Sequence, residues 1–269
     1  MSFATNAVPS HLPLLPVDRA GRLAGMHNLL RKELSGWWGT RLWWIQVLIW
    51  GVLLNGVTTV VMLSEPTLAA GDLLRDVTST FLQMGGIAIG IGVVLTVQGA
   101  IVGEKELGTA AWVMSKPASR PAFVLAKLTG HAVGFVVTAI VVPAAVFWVE
   151  VTVLLSARPA VGPFVVGLGI VTLSVVFYVA LTLALGTLAT GRGPVAGVGI
   201  GLVLAGVFFK GMLPPVIVRA MPWLLGDIAG AIATGGPLVE GWRLPVVTTA
   251  LAGASFMLVA VWRFGREEF

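Results

Sequence analysis

The sequence predicts an all-α polytopic membrane protein, and three observations carry that prediction. First, 57% of the 269 residues are apolar and only 11% are charged, against about 45–50% and about 25% in a water-soluble domain. Second, the apolar residues come in runs long enough to cross a hydrocarbon core of about 30 Å. Third, most Lys and Arg flank those runs instead of forming one patch. The pI near 10.2 therefore points to membrane-flanking cations and not to a nucleic-acid partner.

Residues 1–18 are expected to form a flexible N-terminus, because Pro9, Pro13 and Pro16 interrupt them. They lack the basic start of a signal peptide. Residues 19–40 read as an amphipathic elbow helix in the membrane interface. Leu23, Met26, Leu30, Leu34 and Trp37 recur at helical spacing, with Asn28, Arg31, Lys32 and Ser35 opposite. Arg22, Arg31, Lys32, Trp37 and Trp38 are the expected interface residues. The other reading is a helix packed on a soluble domain, but no such domain remains for it.

Residues 41–269 form one transmembrane domain with six expected spans, at about 42–63, 79–102, 124–155, 162–189, 195–209 and 245–261. The first opens among Trp residues, which favour the headgroup region. Residues 64–78 are charged and read as an outer loop. Residues 210–244 are apolar enough to suggest a seventh span. However, Arg219 and Asp227 would each cost about 2.5–3.5 kcal/mol near a helix centre, and Pro214, Pro215 and Pro222 weaken a helix there. The segment is expected to form short re-entrant helices in the outer leaflet. Six spans leave twelve Lys and Arg on the side of the termini and five on the other. Both termini are thus expected in the cytoplasm.

Function classes can be narrowed from absences. There is no Cys, which excludes disulfides and thiol catalysis. HExxH, GxSxG and the GxxxxGK[ST] phosphate loop are all missing. The chain is therefore expected to be no enzyme, with no cofactor or metal of its own. His131 is the one His in a span, and reads as a helix-end residue facing headgroups or a neighbouring helix. Glu150 lies 26 residues after Val124, about 39 Å along a helix. That length favours the outer interface, and a place in a substrate passage is the alternative. Gly86 and Gly90, Gly99 and Gly103, Gly130 and Gly134, and Gly193, Gly197 and Gly201 repeat at four-residue spacing. Such spacing allows close helix packing, within the chain or between chains.

The stretch 103–121 is the longest polar interruption. Leu107, Ala110, Ala111 and Met114 are expected on one helical face, and Pro117 stops the helix. Ser119 is placed to cap a helix that opens with Pro121. A short helix lying across the ends of two spans would act as a lever on both. Glu-Lys-Glu-Leu-Gly-Thr at 104–109, Ser-Lys-Pro-Ala-Ser-Arg at 115–120 and Phe-Val-Leu-Ala-Lys at 123–127 resemble the first cytoplasmic loop of ABC type-2 transporter permeases. The elbow, six spans, re-entrant helices and short charged tail are similar in layout.

The resemblance implies a coupling helix seated in a cytoplasmic ATPase subunit. Glu104, Glu106, Leu107, Gly108, Thr109, Ala111, Met114, Pro117, Ser119 and Arg120 would form the contact. It also implies two ATPase copies, which use ATP and Mg, a second permease copy or paralogue, a prokaryotic plasma membrane, and usually export. From the residues alone, the alternative is a non-transporting membrane scaffold or sensor that recruits a cytoplasmic partner through the same loop.

Overall fold

A single segment crossing a bilayer must satisfy its own backbone hydrogen bonds, and the α-helix does so. Every regular element of the computed structural model is helical among the residues it describes, which are 21, 23–65 and 67–268. The helices are α1 (Met26–Trp38), α2 (Leu42–Ser64), α3 (Ala70–Val97), α4 (Val102–Glu106), α5 (Thr109–Met114), α6 (Arg120–Leu155), α7 (Val161–Leu188), α8 (Arg192–Phe209), α9 (Pro215–Ala220), α10 (Leu225–Thr234) and α11 (Arg243–Gly265). Six are long and apolar enough to cross a membrane: α2, α3 continued through a turn into α4, α6, α7, α8 and α11. The expected all-α polytopic class is what the structure has. π-helical turns interrupt α2 at Gly51–Asn55 and α6 at Val136–Val141.

Helix α7 is the axis of the bundle. It has no charged residue from Val161 to Leu188 and is apolar on every side, which suits a helix surrounded by protein. It packs against α3, α6, α10 and α11. Phe81, Phe147 and Phe164 tie α3, α6 and α7 together, with Phe81 and Phe147 stacked at 4.6 Å. Helices α2, α8 and α11 are peripheral. They leave Val52, Phe208 and Leu258 exposed, as lipid-facing positions require.

Helix α3 begins at Ala70, so Asp72, Arg75 and Asp76 are helical and not in a loop. Asp72 lies in the first turn, where the helix dipole favours an acid, and pairs with Arg75 at 3.8 Å. Leu73 and Val77 are buried on the opposite side. Residues 210–244 form α9, a 3-10 turn at Pro222–Leu224, and α10. Helix α10 wedges between α3 and α7. It carries Asp227, neutralised by Lys210 at 2.9 Å. Gly86 makes room for it: a methyl added there would stand 3.1 Å from the Gly226 Cα.

One end of the bundle gathers α1, α4, α5, the start of α6 and the end of α11, and is called the basal end below. There the Ser119 N–H donates to the Ala24 carbonyl at 3.0 Å, and Arg120 donates to the Gly265 carbonyl. The expected elbow begins within residues 19–25, of which 19, 20 and Arg22 lie outside the described residues. Helix α1 itself starts at Met26, after Gly25 in the left-handed region.

Candidate functional site

The basal stretch 103–121 is not one helix. Gly108 has φ +67°, a conformation that ends α4 and starts α5 in a new direction. Leu107 therefore does not share a face with Ala111 and Met114. Ala110 is buried, and Ala111 and Met114 are half-buried against their own chain. The outward apolar residues are Leu107, 74% exposed, and Trp112, 65% exposed. Lys116 sits over the Trp112 ring at 5.1 Å. Thr109 and Pro117 are exposed, and the Thr109 hydroxyl donates to the Glu104 carbonyl at 3.2 Å. Ser119 accepts from the Ala122 N–H at 3.2 Å and so caps α6.

Three consecutive side chains fasten this stretch to three different parts of the molecule. Glu104 Oε1 accepts from Lys127 of α6 at 2.7 Å and from Lys32 of α1 at 2.6 Å. Lys105 pairs with Glu267, just past α11, at 2.7 Å. Glu106 lies 3.7 Å from Arg192, the first residue of α8. The Arg192 guanidinium lies along Gly103, where a methyl would come within 2.8 Å of it. A displacement of α4 is thus felt by α1, α6, α8 and α11.

These pairs differ in weight. Lys105–Glu267 and Lys127–Glu104 are largely shielded from solvent, whereas Arg192–Glu106 is half-exposed on both sides and contributes about 0–1 kcal/mol. The strongest element is Lys127, 2% exposed, which also pairs with Glu33 at 3.0 Å. Burial alone would raise the Glu33 carboxyl, but Lys127 and then Lys32 outweigh it and hold it below the usual carboxylate value. Partial burial likewise works against the Lys32 ammonium, yet Glu104 and Glu33 keep it above the usual lysine value.

Glu33 was not singled out from the sequence, although a signal was there. It lies four residues after Leu29 and four before Trp37, so all three share one face. Leu29 and Trp37 are both buried. An acid on a buried face needs a cation opposite, and Lys127 supplies it.

The same geometry revises the elbow. Trp37 is 1% exposed and sits in protein, not among headgroups. Its ring covers Gly134, where a methyl would come within 2.3 Å. It stands edge-on to Phe135 at 5.2 Å, and its Nε1 donates to His131 Nδ1 at 3.3 Å. Glu33 approaches Gly130 in the same manner. The Leu29/Trp37 face of α1 is therefore occupied by α6, and the Gly130/Gly134 pair serves packing within the chain. Arg31, Lys32 and Trp38 remain exposed, while Arg22 lies outside the described residues.

A family model for "ABC-2 family transporter protein" matches residues 55–222, more than half of the chain. The chain belongs to the ABC-2 transporter family. It is also 27% identical over 262 residues to "Uncharacterized transmembrane protein YxlG" of Bacillus subtilis (strain 168). That match covers 90% of this chain and 98% of the relative. Family membership makes the chain a multi-pass membrane permease component of an ABC transporter, and implies a partner ATPase. The matched region includes the whole 103–121 stretch, whereas Lys32 and Glu33 precede it.

Two further features of this ABC-2 permease lie in the crossing helices. Gly193, Gly197 and Gly201 of α8 meet nothing within 4 Å, so that face is open. Glu150 of α6 meets the hydroxyls of Thr58, at 3.4 Å, and Thr59 of α2. Thr59 is little more than one turn from the end of α2 at Ser64. This sets Glu150 near the end of the bundle opposite the basal end, about 7–8 Å along α6 from its last residue Leu155.

Proposed function

We propose that the chain is the permease subunit of an ATP-driven exporter in a prokaryotic plasma membrane. In this reading the basal end and both termini face the cytoplasm, and the stretch 103–121 couples the chain to a separate ATPase. Two ATPase copies and a second permease copy complete the transporter. ATP and Mg are used by the ATPase, and this chain binds neither. The observation that carries the reading is the Glu104–Lys105–Glu106 triplet, whose members are tied to α1 and α6, to the end of α11 and to α8. A segment that only joined two spans would not need ties to three further helices, α1, α8 and α11. Leu107 and Trp112 project beyond these ties and offer the apolar contact, which departs from the expected Leu107, Ala111 and Met114 face.

The reading is tested without knowing the substrate. Spin labels at Thr67→Cys and Glu240→Cys, near the opposite end, report opening of the bundle in the purified complex. ATP is expected to change their separation in the otherwise wild-type complex. Glu104→Ala is expected to keep the complex assembled while greatly reducing that change. An ATP-driven change of the same size in Glu104→Ala would count against the lever.

A further inference from the structure

We infer that Glu150, with Thr58, Thr59 and an exposed aliphatic stripe on α6, forms a seat for a hydrophobic cation: an ammonium head with one alkyl tail, taken from the bilayer. The inference rests on the permease reading and names the chemical class that one of its sites takes.

Glu150 has no cationic partner among the described residues. Asp227, the other acid in the apolar part of the molecule, has Lys210 at 2.9 Å. An intramembrane carboxylate without a cation is costly and marks a functional position. Its neighbours do not fully serve it either. The Thr58 and Thr59 hydroxyls each lie 2.9 Å from the Asn55 carbonyl as well as against Glu150. A hydroxyl has one hydrogen to give, so each bond to the helix carbonyl leaves the carboxylate wanting.

The second observation is Asn55 itself. Its side chain is 6% exposed, and both its amide oxygen and nitrogen are buried without a hydrogen-bond partner. It stands one turn below Thr58 and Thr59 on the same face of α2, at the end of the π-helical turn Gly51–Asn55. π-turns often accompany functional sites. Unmet polar capacity is thus concentrated where α2 meets α6.

The exposed face of α6 around Glu150 decides the shape of the ligand. Glu150 is the one polar residue on that face, and the rest is aliphatic, including Val142, Val146, Val149 and Val153. From Val142 to Val153 the stripe is about 16 Å long. One carboxylate with two hydroxyls falls short of the six or more oxygens that calcium takes. An anion would be repelled. A charged head on Glu150 with its tail along the valines satisfies both parts.

The test uses the permease–ATPase complex in phosphatidylcholine nanodiscs and radiolabelled dodecyltrimethylammonium, with empty nanodiscs as background. Saturable binding is expected. Glu150→Gln should weaken it at least tenfold, while Glu150→Asp retains it. Val149→Trp, which covers the aliphatic stripe beside Glu150 and leaves the carboxylate in place, should also weaken it at least tenfold, so the test survives if Glu150→Gln does not assemble. Dodecyl sulfate should not displace the probe. Unchanged binding in Glu150→Gln or in Val149→Trp, or equal displacement by dodecyl sulfate, would overturn the inference. So would loss of probe binding when phosphatidylethanolamine is included, since the seat would then belong to a lipid headgroup. Absence of saturable binding by a complex that hydrolyses ATP would sink this inference alone. Failure of the chain to associate with its ATPase would sink the permease reading.

Discussion

Removal of the Lys127 ammonium is the sharpest test of how the basal end is held. Lys127 is 2% exposed and lies 3.0 Å from Glu33 and 2.7 Å from Glu104. Lys127→Met leaves two shielded carboxylates facing each other with only Lys32 between them. Breaking a buried pair by deleting one partner costs about 3–5 kcal/mol, because the remaining charge is uncompensated. For a domain near this size, about 1 kcal/mol corresponds to about 2–4 °C, so Tm should fall by at least about 6 °C. Lys32→Met is a contrast on the same carboxylate. Lys32 is 50% exposed, and such a pair contributes about 0–1 kcal/mol, or at most about 4 °C. The triple variant Lys127→Met, Glu33→Gln, Glu104→Gln should recover much of the loss, because no charge is left unpaired. Thermal unfolding in detergent, followed by tryptophan fluorescence, reads all three. Equal losses for the two lysine variants, or a triple variant less stable than Lys127→Met, would refute the reasoning.

The remaining predictions concern pH, packing and topology. Glu33 is depressed in the fold, so its contribution is present above the ordinary carboxylate value of 4.5 and lost as pH falls through its folded value. Lys32 is raised, so its contribution is present below 10.5 and lost as pH rises through its folded value. These two groups should leave thermal stability flat from about pH 7 to 9; a steep change within that window would contradict the assignment. Gly134→Ala should detach α1 from α6, because the new methyl meets the Trp37 ring at 2.3 Å; a red-shifted Trp emission checks it, and unchanged emission would argue against the packing. Single cysteines at Thr67 and Glu240 should react with an impermeant thiol reagent on whole cells, and those at Ser115 and Glu268 should not. Labelling of Glu268→Cys from outside would reverse or break the topology.

Much of the fold was legible because its signals are local. Runs of apolar residues set the crossing helices, and the cost of Arg219 and Asp227 kept 210–244 from being read as a seventh crossing. The Ser119 cap was likewise written in three adjacent residues. What stayed hidden depends on partners distant in sequence. Glu33 meets Lys127 only because α1 folds onto α6, and Trp37 is buried for the same reason. The break at Gly108 was missed because a glycine inside a short helical pattern is compatible with continuing or ending it, and the backbone decides. Once it ends α4, the apolar face passes from Leu107, Ala111 and Met114 to Leu107 and Trp112. The contact of Glu150 with Thr58 and Thr59 likewise depends on α2 lying against α6 and is not written along α6 alone.

The central claim is that the stretch 103–121 is where the ATPase docks, and recovery of the cognate ATPase on the tagged permease tests it most directly. Truncating an interface anchor costs about 2 kcal/mol or more, and placing a charge in an apolar contact should cost at least as much. Trp112→Asp and Leu107→Asp should each lower ATPase affinity more than tenfold. Leu258→Thr, on the lipid-facing side of α11, should leave it unchanged. Wild-type recovery with both aspartate variants would contradict the account.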